Sequence, residues 1–422
     1  NAGLRGSLPT GLAYDLSGSF GHTYGQREIF PFDTYEGLVS ATLTQPLLRD
    51  FWIDANRLNI RVAKHDLKIA ENQFLVTILD VVNRTQQAFY ELIASRDLIV
   101  ARQKALELAE RFAGETKRRV ELGTLPPLDE VQAQSEAATR RAELISARQL
   151  SVVAENALKT LITHNYELWH SYAIEPTERL VAVPEDLDLG ASWLSGITLR
   201  PDYNAVKEQL ERQGVVVKYQ QNQLFPWVNL TGTYGRAGID NKFRTLVFTN
   251  TIPLPGPDRR DIVVIPGRDA NFTDVLDDIR RDNNPRYSFG VVVEMPLTFR
   301  RERAEYKAAK RLREQLKLEL ERLHNIILTD IDNQVSAVRA NFERVGATRQ
   351  ARIFAEAALD AETKRMDAGR STPFNVLEFQ RDLSDAATAE IRALADYNKA
   401  LAQLSWAEGT ILQRNRIAVD IR

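Results

Sequence analysis

Tyr35-Glu36-Gly37-Leu38-Val39-Ser40-Ala41-Thr42-Leu43-Thr44-Gln45-Pro46-Leu47 decides the fold, because it returns in altered form as Tyr287-Ser288-Phe289-Gly290-Val291-Val292-Val293-Glu294-Met295-Pro296-Leu297. In both stretches apolar and small polar residues alternate with period two, as a strand with two different faces requires. Both end on Pro-Leu and run into a long charged segment with helical spacing. A missing N–H costs little where a strand stops and a helix opens, so each Pro reads as that junction. Two further alternating stretches precede them. One sets Leu12, Tyr14, Leu16 and Phe20 against Ala13, Asp15, Ser17 and Ser19; the other sets Val228, Leu230 and Tyr234 against Asn229, Thr231 and Thr233.

The helical segments repeat in the same order. Residues 47–122 hold one glycine, Gly114, and no Pro, and would span roughly 110 Å at 1.5 Å per residue. Leu75, Ile78, Val82, Phe89, Leu92, Ile99 and Leu106 form a seam of coiled-coil type. Residues 297–368 carry Leu312, Leu316, Leu320, Leu323, Ile327, Ile331, Val335, Val338, Phe342 and Val345, with a step nearer that of straight helices lying side by side. Gly123 to Pro127 ends the first helix and Gly369 to Pro373 ends the second. Glu115-Thr116-Lys117-Arg118 matches Glu362-Thr363-Lys364-Arg365, and Gly123, Pro127, Asp129 and Gln134 match Gly369, Pro373, Asn375 and Gln380. Such spacing over so long a stretch marks an internal duplication.

The expected organisation is 1–46 as a first β-hairpin, 47–163 as a first long helical hairpin, and 164–200 as a belt segment. Then follow 201–224 as a helix completing the short return arm, 225–296 as a second β-hairpin with a long loop, 297–413 as a second long helical hairpin, and 414–422 as a tail. Residues 22–33 and 241–285 read as loops. The second unit has no continuation like 201–224, so a helical segment before Asn1 is expected.

Composition narrows the function. The formal net charge is −2, without the basic excess of a nucleic-acid binder. Cysteine is absent, so no disulfide or thiol chemistry operates. No run approaches the roughly 18 apolar residues of a transmembrane helix, so a membrane crossing would have to use strands. Each alternating stretch has the length of a tilted barrel strand, and a hairpin pair closes no barrel alone, so several chains would contribute. His22, His65, His164, His170 and His324 show no metal-ligand spacing, and no nucleophile triad, phosphate loop or dinucleotide fingerprint stands out. No enzymatic activity and no cofactor are expected.

The strand-Pro-Leu-helix junctions, Leu199-Arg200-Pro201-Asp202-Tyr203, and the turns Arg119…Gly123…Asp129 and Arg365…Gly369…Asn375-Val376-Leu377-Glu378 together resemble the TolC-like outer-membrane efflux proteins. The resemblance covers nearly the whole chain. It implies an α+β membrane protein, a homotrimer whose protomers each give four strands to a twelve-stranded outer-membrane barrel and long helices to a periplasmic coiled-coil barrel. It implies a passive export duct in the outer membrane, in contact with its lipid, served by a periplasmic adaptor and indirectly by an inner-membrane pump. Acids after the second turn line the constriction in that family. Here Glu378 is kept and Asn375 replaces the other acid, while Asp129 is its counterpart in the first unit. The resemblance makes Arg119 and Arg365 gating salt-bridge candidates, and Gly123, Thr124, Leu125, Gly369, Arg370 and Ser371 the adaptor-contacting tips. The competing reading is a poreless structural or adaptor protein whose coiled coils bridge envelope components. It would call for one compact β domain rather than two separated hairpins.

Overall fold

The computed structural model describes residues 1–27, 30–241, 245–249, 261–265 and 269–420. The elements run β1 (Ala2–Ser7), β2 (Ala13–Arg27), β3 (Phe30–Pro46), α1 (Ala55–Glu121), α2 (Pro127–Ile162), α3 (Tyr166–Trp169), α4 (Leu189–Leu199) and α5 (Pro201–Asn222). They continue with β4 (Trp227–Asn241), β5 (Thr245–Thr249), β6 (Asp261–Ile265), α6 (Phe272–Arg281), β7 (Pro285–Glu294), α7 (Arg300–Asp367), α8 (Pro373–Ala407) and α9 (Ile411–Arg414). Two compact units result. One holds residues 1–66 and 210–315, the other 67–209 and 316–422.

The first unit is built on an antiparallel sheet of order β1-β2-β3-β4-β7. The four alternating stretches of the sequence are β2, β3, β4 and β7. The six-residue edge strand β1 joins them, pairing Ala2–Ser7 with Ala13–Gly18. The register sets Leu16 opposite Ala41, and Ala41 opposite Tyr234, so the apolar residues of the strands share one face. The other face carries hydroxyls that bond across strands, Ser17 to Ser40 at 3.0 Å and Thr42 to Thr233 at 3.1 Å. Two expectations need correction. Most of 22–33 is strand, since β2 and β3 pair as far as Arg27 and Phe30; positions 28–29 lie outside the described residues. Stacking of His22 on Tyr35 at 4.1 Å helps hold this extension. The 241–285 stretch contains β5, β6 and α6 in its described parts, while 242–244, 250–260 and 266–268 lie outside them.

Pro46 closes β3, but α1 opens only at Ala55. The intervening residues turn through Asp50, whose positive φ of 64° is unfavourable for a side-chain-bearing residue. Asn222 accepts its backbone N–H at 2.7 Å, and the Gln223 amide donates to its carboxylate at 2.6 Å. Arg49 lies over the Trp227 ring at 3.6 Å. Asp54 then caps the helix, accepting from the Arg57 N–H at 2.7 Å.

The second unit is helical. Among the described residues, no helix is long and apolar enough to cross a membrane. On α7 the stripe is realised at Ile327, Ile331, Val335, Val338 and Val345, which pack with Tyr397, Leu404 and Ala407 of α8. Each such side chain contributes about 1.5–3 kcal/mol when fully buried. On α1, Leu92 and Leu106 of the seam are buried, and Leu92 meets Ala154 and Leu158 of α2. The belt is more ordered than its composition suggests, because Asp188 caps α4 by accepting from the Gly190 N–H at 2.9 Å. Gly196 within α4 is a close approach: a Cβ there would stand 2.4 Å from Cδ1 of Ile331. Arg200 pins the start of α5. It donates to Asp202 at 3.1 and 2.7 Å and to Asp330 at 3.4 Å. The final helix is shorter than expected. It stops at Ala407, where Gly409 takes φ 73° and a new four-residue helix, α9, follows.

Candidate functional site at the helical turns

The two turns fold alike because the same residue types meet the same need. A helix end leaves carbonyls without partners, and a left-handed glycine lets the chain double back onto them. Gly123 has φ 74° and Gly369 φ 72°. Gly123 N–H donates to the Val120 carbonyl at 2.9 Å and Thr124 N–H to Arg119 at 2.9 Å. Gly369 and Arg370 repeat this to Met366 at 3.0 Å and Arg365 at 2.8 Å. The backbones of Arg119 and Arg365 are therefore part of the turn itself. Leu125 is half-buried, and the rest of the first tip is exposed.

The return helices start differently. Pro126 precedes α2 and supplies no side-chain cap. Thr372 precedes α8, and its hydroxyl accepts from the Asn375 N–H at 3.5 Å. Asn375 also donates through Nδ2 to the Ser371 hydroxyl at 3.2 Å, and Ser371 hydrogen-bonds Glu362. Arg365 reaches the same carboxylate at 3.3 Å. The Ser371 bond, with smaller help from Arg365 and Asn375, holds the Glu362 carboxyl below the usual range. Asn375 thus sits in a knot of polar groups that stabilises the second turn. Asp129 occupies the equivalent first-turn position of α2 and is half-buried.

The structure separates the two arginines. Arg119 reaches across to Asp367 at 2.7 Å, linking the end of α1 to the end of α7, whereas Arg365 pairs along its own helix. Glu378 is exposed on α8 and faces a shallow cleft of about 330 Å³ with Val131, Gln132 and Ser135 of α2 and with Arg381.

One turn further along lies a cluster that the sequence did not single out. Glu136 of α2 is 2 % exposed, and its carboxylate takes Arg381 Nε at 2.9 Å and lies 2.7 Å from Arg140, itself buried. Arg140 continues to Glu143 at 2.9 Å, and Arg102 of α1 reaches both Glu143, at 2.9 Å, and Ser384 of α8, at 2.6 Å. Burial pushes the Glu136 carboxyl up, but the Arg381 hydrogen bond and the charges of Arg140 and Arg381 outweigh it and hold it below the ordinary value. Glu136 and Arg140 stand one turn apart on one helix face, and Glu136 falls seven residues after Asp129. That spacing was the available signal. Among the described residues, no group of three or more His, Cys, Asp or Glu could hold a metal ion.

The outer membrane efflux protein family model matches residues 13–164 and 197–410. The chain belongs to the outer membrane efflux protein family. No curated protein sequence matches it. Solved structures share the fold. The outer membrane protein VceC from Vibrio cholerae is 20% identical with a TM-score of 0.69, over 94% of this chain and 87% of that one. The Campylobacter jejuni CmeC outer membrane channel is 15% identical at 0.67, over 95% and 78%. The Neisseria gonorrhoeae MtrE outer membrane channel, solved in its open state, is 16% identical at 0.66, over 94% and 80%. This efflux protein is therefore a subunit of an export channel of the outer membrane, with strands for the barrel and long helices for its large periplasmic portion.

Proposed function

We propose that three copies of this chain close one twelve-stranded barrel, each giving β2, β3, β4 and β7 while the short edge strand β1 yields the β2 edge to β7 of a neighbouring copy, and continue as a helical duct across the periplasm, through which a partner inner-membrane pump drives its substrate by way of an adaptor. The observation that carries this reading is the sheet. Its apolar face stays exposed at Leu16, Val39, Leu43, Phe289 and Val293, and β7 ends it with one edge unpaired among the described strands. In lipid an open edge leaves backbone groups unsatisfied, and closure with neighbouring copies removes the edge.

Within that duct, Glu378 is the proposed constriction acid, with Asp129 and Asn375 beside the turns at the same end. Three copies of Glu378 would favour cations. Asn375 acts mainly through the polar knot of the second turn. Arg119, through Asp367, is the proposed gating contact; Arg365 supports it by fixing Glu362. The tips Gly123, Thr124, Leu125, Gly369, Arg370 and Ser371 are the proposed adaptor contacts.

Disulfide cross-linking tests the closure, with no native cysteine to confuse it. A cysteine at Ser19 on β2, combined in turn with cysteines along β7, should give covalent multimers up to trimer in membranes. Monomers only, at every β7 position, would exclude the closure.

A further inference from the structure

The helix α6 lies against the apolar face of the sheet. Phe20, Gly37 and Gly238 stand opposite one another across β2, β3 and β4, which places them on the face that carries Val39, Leu43 and Phe289. Val275 of α6 is fully buried there. A Cβ at Gly37 would stand 2.7 Å from Cγ1 of Val275, and one at Gly238 would stand 2.4 Å from its carbonyl oxygen. The two glycines form a shelf on which the helix backbone rests. Phe272 meets Phe20 edge-on at 5.5 Å. Arg236 and Asp282 close the other end of the helix at 3.2 Å.

The face beneath α6 matters more than the packing. The opposite face bears the Ser17–Ser40 and Thr42–Thr233 hydroxyl pairs and suits water, so the face under α6 is the one that meets lipid. Beyond α6, toward Leu43, that face is bare and apolar. α6 lies over the rungs near Tyr35 and Gly37, closer to the Arg27–Phe30 end of the hairpin than to the Pro46 junction. Its polar side carries Asp274, Asp277, Asp278, Arg280 and Arg281, while Leu276 remains 41 % exposed at its flank. The ridge of α6 packs on the sheet, so what it offers to lipid is its flank, where Leu276 and Phe272 are each 41 % exposed beside a charged outer side.

We propose that α6 is an interfacial collar, seated on the lipid-facing side of the barrel at its outer rim, where Leu276 meets the acyl chains of the outer leaflet. The occupant of this surface is the bilayer itself, continuous with the lipid that covers Val39 and Leu43. α6 thereby sets the outer limit of the membrane-embedded band and is not a lid over the channel mouth. The proposal rests on the barrel reading.

Single-cysteine variants of the full chain test it, each labelled with an environment-sensitive fluorophore and reconstituted into phosphatidylcholine vesicles. Ser288→Cys and Phe289→Cys are neighbours on opposite faces of β7 and calibrate the barrel. Phe289→Cys should lose emission with brominated acyl chains, and Ser288→Cys should lose it with aqueous iodide. Leu276→Cys should then follow Phe289→Cys, with loss of emission by bromolipid and protection from iodide. Quenching at 276 by iodide alone, or by neither agent, with 288 and 289 behaving as stated, would place α6 in water or under other protein and overturn the collar. Failure of 288 and 289 to differ would overturn the barrel reading and the collar with it.

Discussion

Replacing Glu136 by Gln should destabilise the helical unit more than any other single charge removal near the turns. Glu136 is 2 % exposed and faces two guanidinium groups, one of them the buried Arg140. Removing one partner of a buried ion pair typically costs about 3–5 kcal/mol, because the remaining charge is left in a poor solvent. Arg140 keeps Glu143 at 2.9 Å, so the lower end, about 3 kcal/mol, applies here. That corresponds to roughly a hundredfold in the folded-to-unfolded ratio. Arg381→Ala removes an exposed side chain but takes the leading hydrogen bond from the buried Glu136 carboxylate, which keeps Arg140, so it should cost about 1–3 kcal/mol. The assay is heat unfolding of the detergent-solubilised assembly, followed by helical circular dichroism at one scan rate, since such assemblies often unfold irreversibly. Glu136→Gln should unfold at lower temperature than Arg381→Ala, and Arg381→Ala below the parent. The pH dependence has a fixed sign. A carboxyl held below its ordinary value of 4.5 contributes stability above that pH and loses it as pH falls through the folded value. The parent should therefore lose more stability below about pH 4.5 than Glu136→Gln does. Equal melting of Glu136→Gln and parent, or a larger loss in Arg381→Ala, would refute the reasoning.

Glu378→Ala should weaken cation selectivity in planar bilayers without changing thermal stability, because the side chain is exposed; unchanged reversal potentials would remove it from the constriction. Arg119→Ala breaks the exposed pair with Asp367 and should cost at most about 1 kcal/mol of stability while raising mean single-channel conductance. Unaltered conductance would deny that pair a gating role. Gly238→Val places side-chain atoms where the Val275 carbonyl stands and should displace α6, seen as faster protease cleavage between residues 269 and 284. Parent-like cleavage would show that the shelf does not hold the helix.

Much of this architecture was readable because its punctuation is local. Gly123 and Gly369 need positive φ, and Pro127 and Pro373 suit a helix start, so the turns could be placed to within a few residues. The alternation of β3 and β7 survives intact because one face meets a different medium from the other. What escaped is set by distant partners. α4 contains Gly190, Ser192, Ser195, Gly196 and Thr198, poor helix formers, yet it folds where Gly196 admits Ile331. The buried Glu136 and Arg140, and the exposed Arg381 that reaches them, look like any solvated helix charges until α2 and α8 are brought together. α6 hid in a stretch rich in Asp and Arg because only three residues, Phe272, Val275 and Ile279, carry its apolar ridge. β1 is short and exposed, and it exists through the register of β2.

The central claim is a pore made by several copies of one chain. Its most direct test is native mass spectrometry of detergent-solubilised protein, joined to conductance of the same sample in planar bilayers. A trimeric pore gives a mass three times that of the 47.8 kDa chain, and discrete ion-conducting steps. A monodisperse monomer that stays soluble without detergent and conducts no ions would contradict it.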